Sequence, residues 1–313
     1  MTTVNLEKTF RIEDLPCIWD LDMDQEYLIE GLLPEESLIL LTGESGCGKS
    51  TVVLALANAV ANGTTFLGRK CEQRKVLFVD GENGLQVYHE RFRRLNIIEN
   101  PNMFFWGLWV RPEPTGPTHK ALLQFALEHR PLIIFDSLIA FHPGSEQDSS
   151  ETRTYMDHFR RLANAGATVL VIHHIGKGES TREYRGSSDI KASVDVAYLL
   201  TARKPLLKEM ELKPYKSREG ALETVDFGLE GDHFSLCNPR HKAWQYVVDN
   251  IKKCPGLIQQ DLIKLTPNVG TYVVRNILEE GVNDGTLKIV TGAKNAHHYY
   301  LNDQKTEPQT KGI

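Results

Sequence analysis

Short apolar runs alternate with amphipathic stretches over the first two thirds of the chain. Several runs are apolar at nearly every position, which is typical of strands that are covered on both faces of a sheet. The runs that predict strands are SLILLT (37–42), KVLFVD (75–80), MFFW (103–106), PLIIFD (131–136), TVLVIHH (168–174) and VDVAYLL (194–200). The stretches that predict helices are 49–62, 84–95, 118–129, 149–165 and 187–192. This alternation predicts an α/β fold built from βαβ units around a mostly parallel sheet.

The segments that follow the last of these strands have a different pattern. MELKPYK (210–216) and ALETVDF (221–227) alternate apolar and polar residues around SREG, which predicts an antiparallel hairpin on the edge of the sheet. Further on, three amphipathic stretches precede two short β-rich runs, TLKIV and HHYYL. Three helices followed by a β-hairpin is the order of a winged-helix domain.

These patterns divide the chain into four predicted parts. They are an acidic N-terminal strap (1–27), an α/β domain (28–238), a winged-helix domain (239–302) and a polar, disordered tail (303–313). The length of 313 residues agrees with about two folded domains.

Charge is distributed unevenly along the chain. The net charge is 36 − 41 = −5, and the strap alone, with two basic and seven acidic residues, contributes 2 − 7 = −5. The remainder is therefore balanced, and a basic field over the whole protein is excluded, so any contact with nucleic acid has to be local or to arise on assembly. Five cysteines without a CxxC pair and no apolar leader or membrane-length run predict a reduced, cytoplasmic chain.

The most specific motif is GESGCGKS at 43–50, which satisfies the Walker A pattern G-x-x-x-x-G-K-[ST]. It follows an apolar strand and opens an alanine-rich helix, which is the context that this phosphate-binding loop requires. The predicted ATP-binding residues are Gly43, Glu44, Ser45, Gly46, Cys47, Gly48, Lys49, Ser50 and Thr51. Among them, Lys49 is expected to bridge the β- and γ-phosphates and Ser50 to ligate Mg²⁺.

Two carboxylates complete the predicted chemistry. Asp136 ends the apolar strand PLIIFD, as in a Walker B motif, and is predicted to hold Mg²⁺ together with Ser50. Glu82, in VLFVDGENG, follows the strand after the Walker A helix and is predicted to orient the attacking water as a general base. Asp80, two residues earlier, is an alternative for part of that role.

The order of these motifs resembles the RecA-like ATPase core. The opening LIEGLLPEESLILLTGESGCGKST is similar to RecA-like ATPases of plasmid and phage origin, including hexameric replicative helicases of the RepA type, and the resemblance covers about residues 28–230. It implies that His174 senses the γ-phosphate and leads into a DNA-binding loop containing Lys177, Arg182 and Arg185. A contact with a neighbouring subunit and a solvated loop are the alternatives for these three residues.

The segment KSREG (216–220) resembles the K-x-R-x-G segment of DnaB-type helicases. That resemblance implies that Lys216 and Arg218 reach the γ-phosphate of a neighbouring subunit, and hence that the protein forms a homo-oligomeric ring or filament. An ordinary charged turn is the alternative. An arginine suits such a role because its charge is fixed and its geometry is planar.

The C-terminal module is less diagnostic. A DNA-reading helix is predicted at 268–280, with Thr271, Tyr272 and Arg275 exposed, although winged helices also bind proteins. The resulting expectation is Mg²⁺-dependent ATP hydrolysis coupled to DNA unwinding or translocation. A recombination or repair ATPase, or a nucleotide-gated regulator that binds DNA through the winged helix, are the alternatives.

Overall fold

The computed structural model describes residues 12, 15–20, 24–142, 149–174, 188–203, 207–218, 220–236, 239–266, 269–292 and 296–302. Most of the predicted strap and all of the predicted tail lie outside these residues. The same holds for Lys177, Arg182 and Arg185 of the predicted DNA-binding loop. Among the described helices, none has the length and apolar character that a membrane span needs.

Strands and helices alternate along the described chain as the apolar pattern predicts. The strands are β1 (Tyr27–Ile29), β2 (Leu33–Pro34), β3 (Leu38–Gly43), β4 (Thr65–Phe66), β5 (Arg69–Lys70), β6 (Val76–Asp80), β7 (Met103–Gly107), β8 (Leu132–Asp136), β9 (Thr168–His174), β10 (Val196–Arg203), β11 (Glu209–Ser217), β12 (Val225–Glu230), β13 (His233–Leu236), β14 (Leu257–Ile258), β15 (Leu287–Thr291) and β16 (His297–Leu301). The helices are α1 (Lys49–Asn62), α2 (Leu85–Arg94), α3 (Lys120–His129), α4 (Leu138–Phe141), α5 (Ser149–Asn164), α6 (Ser188–Ser193), α7 (Pro239–Lys253), α8 (Gln259–Lys264) and α9 (Thr271–Asn283). A short 3₁₀ helix, Ile18–Asp20, precedes them.

A nine-stranded sheet organises the first three quarters of the described chain. Its order is β13-β12-β11-β10-β3-β9-β8-β6-β7, and the six strands from β10 to β7 are parallel. The predicted α/β class with a mostly parallel sheet is confirmed. Because all six strands run the same way, their carboxyl ends meet at one edge of the sheet and their amino ends at the opposite edge.

Helices cover both faces of this sheet, which explains the continuous apolar runs. In β3, Ile39 and Leu41 join the core beneath α1 and α2, whereas Leu38 and Leu40 join the core beneath α3 and α5. Successive side chains of a strand point to opposite faces, so a strand buried on both faces has to be apolar throughout.

The antiparallel strands at the edge of the sheet differ from their prediction in where β12 begins and in the presence of a further strand. The strand β11 agrees closely with the predicted 210–216, but β12 begins at Val225 instead of residue 221, and β13 was not predicted. Pairing with β11 stops at Leu212↔Val225, so residues 221–224 lie in the connection. An alternating pattern marks the faces of a strand but does not fix where its pairing begins.

The C-terminal elements have a core of their own. The helices α7, α8 and α9 precede the hairpin β15–β16, and the two-residue strand β14 adds to it in the order β14-β16-β15. Val247, Leu262 and Leu278 are buried together in that core. The assignment of these elements to a winged-helix domain stays a prediction.

Candidate active site

The loop at 43–50 connects β3 to α1 at the carboxyl edge of the sheet. The loop requires a glycine at position 48, because φ of this residue is +97°, a conformation that other residues rarely adopt. Gly48 caps α1 without a side-chain hydrogen bond. Glycine is also needed at Gly43, where a Cβ atom would lie 2.6 Å from the carbonyl oxygen of Leu200. The first N–H groups of a helix have no partner within the helix, so this end of α1 can accept an anion.

The predicted ATP-binding residues are all on this loop or on the first turn of α1. Glu44, Ser45 and Gly46 are exposed, and Gly48 and Ser50 are partly exposed. The remaining four are buried: Gly43, Cys47, Lys49 and Thr51.

Lys49 is turned inwards, with only 4% of the residue exposed. Its Nζ donates to the carbonyl oxygens of Gly43 and Glu44, each at 2.9 Å, and lies 3.3 Å from Nδ1 of His174. Burial lowers the pKa of Lys49 below its ordinary value, because the charged ammonium is removed from water. The side chain is therefore held by the loop that it is predicted to serve.

His174 ends β9 and lies between Lys49 and Glu82. Its Nδ1 faces the ammonium of Lys49 and its Nε2 lies 3.7 Å from Oε1 of Glu82. Since an ammonium can only donate, Nδ1 has to accept, and the proton of the neutral ring is on Nε2, facing the carboxylate. The ring thus connects the predicted phosphate-binding lysine to the predicted base.

Glu82 remains partly accessible, with 36% of its side chain exposed. The nearby His174 ring, followed by the hydrogen bond from Ser137, lowers the pKa of Glu82 below its ordinary value in spite of partial burial. The hydroxyl of Ser137, the residue after β8, donates to the same carboxylate. Ser137 was not singled out from the sequence, because only the pairing of β6 with β8 brings it near Glu82.

Asp80, at the end of β6, has a different role from the one considered for it. Its Oδ1 accepts the backbone N–H groups of Glu82 at 2.7 Å and Asn83 at 2.8 Å. Its Oδ2 accepts the Asn83 amide at 2.9 Å and the Tyr88 hydroxyl at 2.5 Å. The carboxylate is buried and fully engaged, so it fixes the turn that carries Glu82. An Asp at the start of a turn commonly accepts the backbone N–H two residues further on, so this arrangement can be recognised from the sequence.

Asp136 lies at the end of β8 with 2% of the residue exposed. Burial, reinforced by the nearby charge of Asp80, raises the pKa of Asp136 to about 6, and a hydrogen bond from Ser50 opposes the rise. The amide of Asn83 lies 3.4 Å from Oδ2 of Asp136 and so links the two acidic strand ends. A hydroxyl and a carboxylate side by side form the oxygen donor set that Mg²⁺ prefers, so these residues fit the predicted ion.

Lys216 and Arg218 do not reach this site in their own chain. The pairs Val196↔Ser217 and Leu200↔Gly43 place them at the amino edge of the sheet, roughly 13 Å of strand length from the loop. The Nζ of Lys216 donates to the carbonyl oxygens of Lys191 at 2.5 Å and Ala192 at 2.9 Å.

Three further groups of polar side chains lie outside the main motifs. Arg91, on α2, donates to Oδ1 of Asn83 at 3.3 Å and lies over the Tyr88 ring, so it contacts the network without reaching the loop. His173 is buried in the sheet, with 1% of the residue exposed. On α9, the predicted contact residues Thr271, Tyr272 and Arg275 are exposed.

The chain is similar to proteins with a named role. It is 28% identical over 212 residues, 65% of its length, to the DNA repair protein RadA of Helicobacter pylori strain J99. It is 32% identical over 108 residues, 34% of its length, to the DNA repair protein RadA of Aquifex aeolicus. The chain spans only 42% and 20% of the lengths of these two relatives.

More than half of the chain, residues 9–180, matches the AAA domain family. That match includes the loop at 43–50, Glu82, Asp136 and His174, which the sheet gathers at one edge. The chain therefore belongs to the AAA domain family, and its core is that of a RecA-like P-loop ATPase.

Proposed function

We propose that this protein hydrolyses ATP with Mg²⁺ as an assembly of identical copies, and that DNA stimulates the hydrolysis. The observation that carries the proposal is the continuous line of contacts Lys49–His174–Glu82–Ser137 beside the pair Ser50–Asp136. It unites a phosphate-binding cation, a base and a metal-binding pair at the N-terminus of α1.

Binding of ATP requires Lys49 to exchange its carbonyl partners for phosphate oxygens. The N–H groups of the loop and of the first turn of α1 donate hydrogen bonds to the remaining phosphate oxygens. Ser50 and Asp136 would hold the Mg²⁺, which would supply charge neutralisation for the phosphates when bound. Because an adjacent cation stabilises the ionised carboxylate, binding of the nucleotide and ion relieves the unfavourable burial of Asp136.

Glu82 acts as the general base that takes a proton from the attacking water. Its lowered pKa keeps it ionised near neutral pH, and its partial exposure leaves a path for water. Asp80 and Ser137 hold the carboxylate and its turn in place. When Lys49 moves to the phosphate, Nδ1 of His174 loses its donor, so His174 reports nucleotide binding to Glu82.

Lys216 and Arg218 serve the site of an adjoining copy. Their position supports this role, since they lie at the sheet edge opposite their own loop and the side chain of Arg218 is half exposed. In a head-to-tail assembly the amino edge of one copy meets the carboxyl edge of the next. In related phosphoryl-transfer systems, an arginine supplied by a neighbouring subunit, called an arginine finger, stabilises the negative charge on the γ-phosphate in the transition state.

Coupling to DNA is supported by the similarity to proteins named for DNA repair and by the helix α9, which exposes Tyr272 and Arg275. We assign α7–β16 as a winged-helix domain that binds duplex DNA through α9. Replicative unwinding or translocation is the first form of the coupling that we propose. Repair or recombination, which the relatives favour, is the second candidate.

The test compares ATP turnover of the full chain without DNA, with single-stranded DNA and with duplex DNA. A strand-displacement assay is run on a forked duplex in parallel, with Lys49→Ala as the inactive control. Stimulation by single-stranded DNA together with displacement supports the unwinding form, and stimulation without displacement supports the repair form. Equal turnover in all three conditions overturns coupling to DNA, and slow turnover with preference for a duplex operator supports a regulator instead.

A further inference from the structure

Asp195 is a buried carboxylate at the amino edge of the sheet that the hydrolysis site does not use. It directly precedes β10, and only 7% of the residue is exposed. Its Oδ2 accepts the backbone N–H of Leu38 at 2.8 Å, which ties it to the first residue of β3. Arg160 of α5 binds it with two nitrogens, at 2.5 and 2.9 Å. These three bonds fix the carboxylate from two elements.

Arg218 makes two hydrogen bonds to Asp195, one to its carboxylate and one to its backbone. Its Nη1 donates to Oδ1 of Asp195 at 3.2 Å, and its backbone N–H donates to the carbonyl oxygen of Asp195 at 3.0 Å. Its Nη2 donates to the carbonyl oxygen of Ala192, at the end of α6, at 2.8 Å. Within the described part of the chain these side-chain contacts use two of the five N–H donors of the guanidinium. Because 53% of the side chain is exposed, the arginine is both anchored and presented to solvent.

Among the described residues, three basic side chains lie around the carboxylate of Asp195. Arg160, Lys216 and Arg218 lie around one carboxylate and the carbonyl oxygens of the last residues of α6. Burial, followed by the nearby charge of Arg218, lowers the pKa of Lys216 below its ordinary value. A cluster of basic side chains favours the approach of an anionic group from outside the chain.

We propose that Asp195 is a positioning residue for hydrolysis, which holds Arg218 at the amino edge of the sheet so that the guanidinium meets the γ-phosphate bound by an adjoining copy. The inference rests on the proposed sharing of the site between copies. Arg160 is the structural partner of Asp195, because it binds the carboxylate with two nitrogens and also donates to the carbonyl oxygen of Ser193 at 2.7 Å. Arg218 uses the same carboxylate as an aligning partner.

Three full-chain variants test this assignment by steady-state turnover with DNA and by thermal unfolding. Asp195→Asn keeps an oxygen acceptor for Leu38 but removes the charge that aligns Arg218. We expect its kcat to fall by about 10- to 100-fold, the cost of a misplacement of about 1 Å, with KM for ATP nearly unchanged. Arg160→Gln is the matched control, because it disturbs the same buried cluster but keeps the carboxylate of Asp195 as the partner of Arg218. Asp195→Asn/Arg218→Ala is expected to be no slower than Arg218→Ala alone.

Mixing of subunits separates positioning from folding. Lys49→Ala subunits carry an intact Asp195 and Arg218, so they are expected to restore turnover to Asp195→Asn subunits, whose own loop is complete. Lys49→Ala/Asp195→Asn subunits are expected not to do so. If Asp195→Asn does not fold, Asp195→Asn/Arg160→Met, which removes the stranded guanidinium, takes its place in the same mixtures.

The outcomes distinguish this inference from the proposed function. If Lys49→Ala subunits fail to restore turnover to Arg218→Ala, the shared site itself is overturned. If they restore Arg218→Ala but Asp195→Asn turns over like the unmodified protein, or loses turnover that mixing does not restore, only the role of Asp195 is wrong. A loss in Arg160→Gln as large as in Asp195→Asn, in step with their melting temperatures, also overturns that role.

Discussion

Two charged clusters lie at opposite edges of the parallel sheet, one mainly acidic and one mainly basic. At the carboxyl edge, Asp80, Glu82 and Asp136 lie in one network whose buried cation is Lys49. At the amino edge, among the residues that the structure describes, Arg160, Lys216 and Arg218 lie around the carboxylate of Asp195 and the carbonyl oxygens at the end of α6. ATP adds further negative charge to the carboxyl edge, whereas Arg218 is exposed at the amino edge. The difference teaches why the proposed reaction calls for a second copy: in the proposed head-to-tail assembly, contact between unlike edges brings the basic cluster of one copy to the phosphate of the next.

Removing the cation of the carboxyl edge is expected to have the largest effect. In Lys49→Ala no other described cation contacts the loop carbonyls or His174, so turnover should fall by more than about 10³-fold and nucleotide affinity should drop. Lys70→Ala is the control, because that lysine is exposed and bonds Glu72 only on the surface. Binding of a fluorescent ATP analogue and phosphate release measure both effects. Turnover within tenfold of the unmodified protein would contradict the assignment of Lys49.

Removing a cation from the amino edge tests whether the two edges meet. Arg218→Ala should bind ATP normally but hydrolyse it on the order of 10³-fold more slowly, since the finger belongs to another copy's site. Specific activity of the unmodified protein should also rise with protein concentration. Lys213→Ala, an exposed lysine of the same strand, is the control. Unimpaired Arg218→Ala, with a concentration-independent rate from a monomer, would falsify the comparison of edges.

Neutralising Glu82 is expected to have an intermediate effect. Glu82→Gln keeps the shape of the side chain and its contact with Ser137 but cannot take a proton, so kcat should fall by roughly 10²-fold or more while ATP binding is kept. Glu90→Gln, which alters an exposed acid of α2, is the control. Single-turnover hydrolysis isolates the chemical step. Normal hydrolysis in Glu82→Gln would remove it as the base.

The buried acid of the carboxyl edge should reduce stability when no metal is present. The pKa of Asp136, about 6 in the folded protein, lies above its ordinary value of 3.8. The folded state therefore binds the proton more tightly, so stability falls as pH rises from about 4 to 6 and the penalty is fully present above 6. Asp136→Asn should stabilise the metal-free protein by about 2–3 kcal/mol at pH 8 and by almost nothing below pH 4.

Denaturant unfolding in EDTA at pH 8 and at pH 4 measures this difference. Addition of Mg²⁺ and ATP should reverse the order of stability at pH 8, because the unmodified protein gains ligand binding that Asp136→Asn lacks. Equal stability of the two proteins in EDTA at pH 8 would show that the burial of Asp136 is not costly.

Removal of the C-terminal module should leave both edges unaltered. A chain of residues 1–238 retains the nine-stranded sheet and both of its cores, so its turnover without DNA should stay within about twofold of the full chain. Its affinity for duplex DNA should fall, and its remaining DNA binding should weaken with salt. Unchanged duplex affinity after truncation would instead favour protein docking by this module.

Much of the acidic edge was predictable because its signals are local. The Walker A spacing, the strand that ends in Asp136 and the acid at Glu82 are each contained in a few consecutive residues. The parallel order of the strands then follows from alternation, since βαβ units place all carboxyl ends together. The supporting contacts of Ser137 and Asn83 were not predictable, because they depend on which strand ends are neighbours.

The amino edge shows where such reasoning stops. The resemblance of KSREG implied a role for Lys216 and Arg218, but nothing in the sequence indicated that Asp195 and Arg160 would lie beside them. Arg160 and Asp195 are 35 residues apart and Asp195 and Arg218 are 23 apart, with no shared motif. Only the pairing of β10 with β3 and β11, and the packing of α5 on that face, brings these charges together.

By itself, the sequence determined the elements, the phosphate loop and the class of chemistry, because backbone conformation and short-range spacing are properties of neighbouring residues. The tertiary structure decided which charges share a site and which are kept apart. Burial and hydrogen bonding act over a few ångströms between residues far apart in the chain, and these forces set the state of Lys49, Glu82 and Asp136. They also decided that Arg218 is held by Asp195 at the edge away from its own phosphate loop.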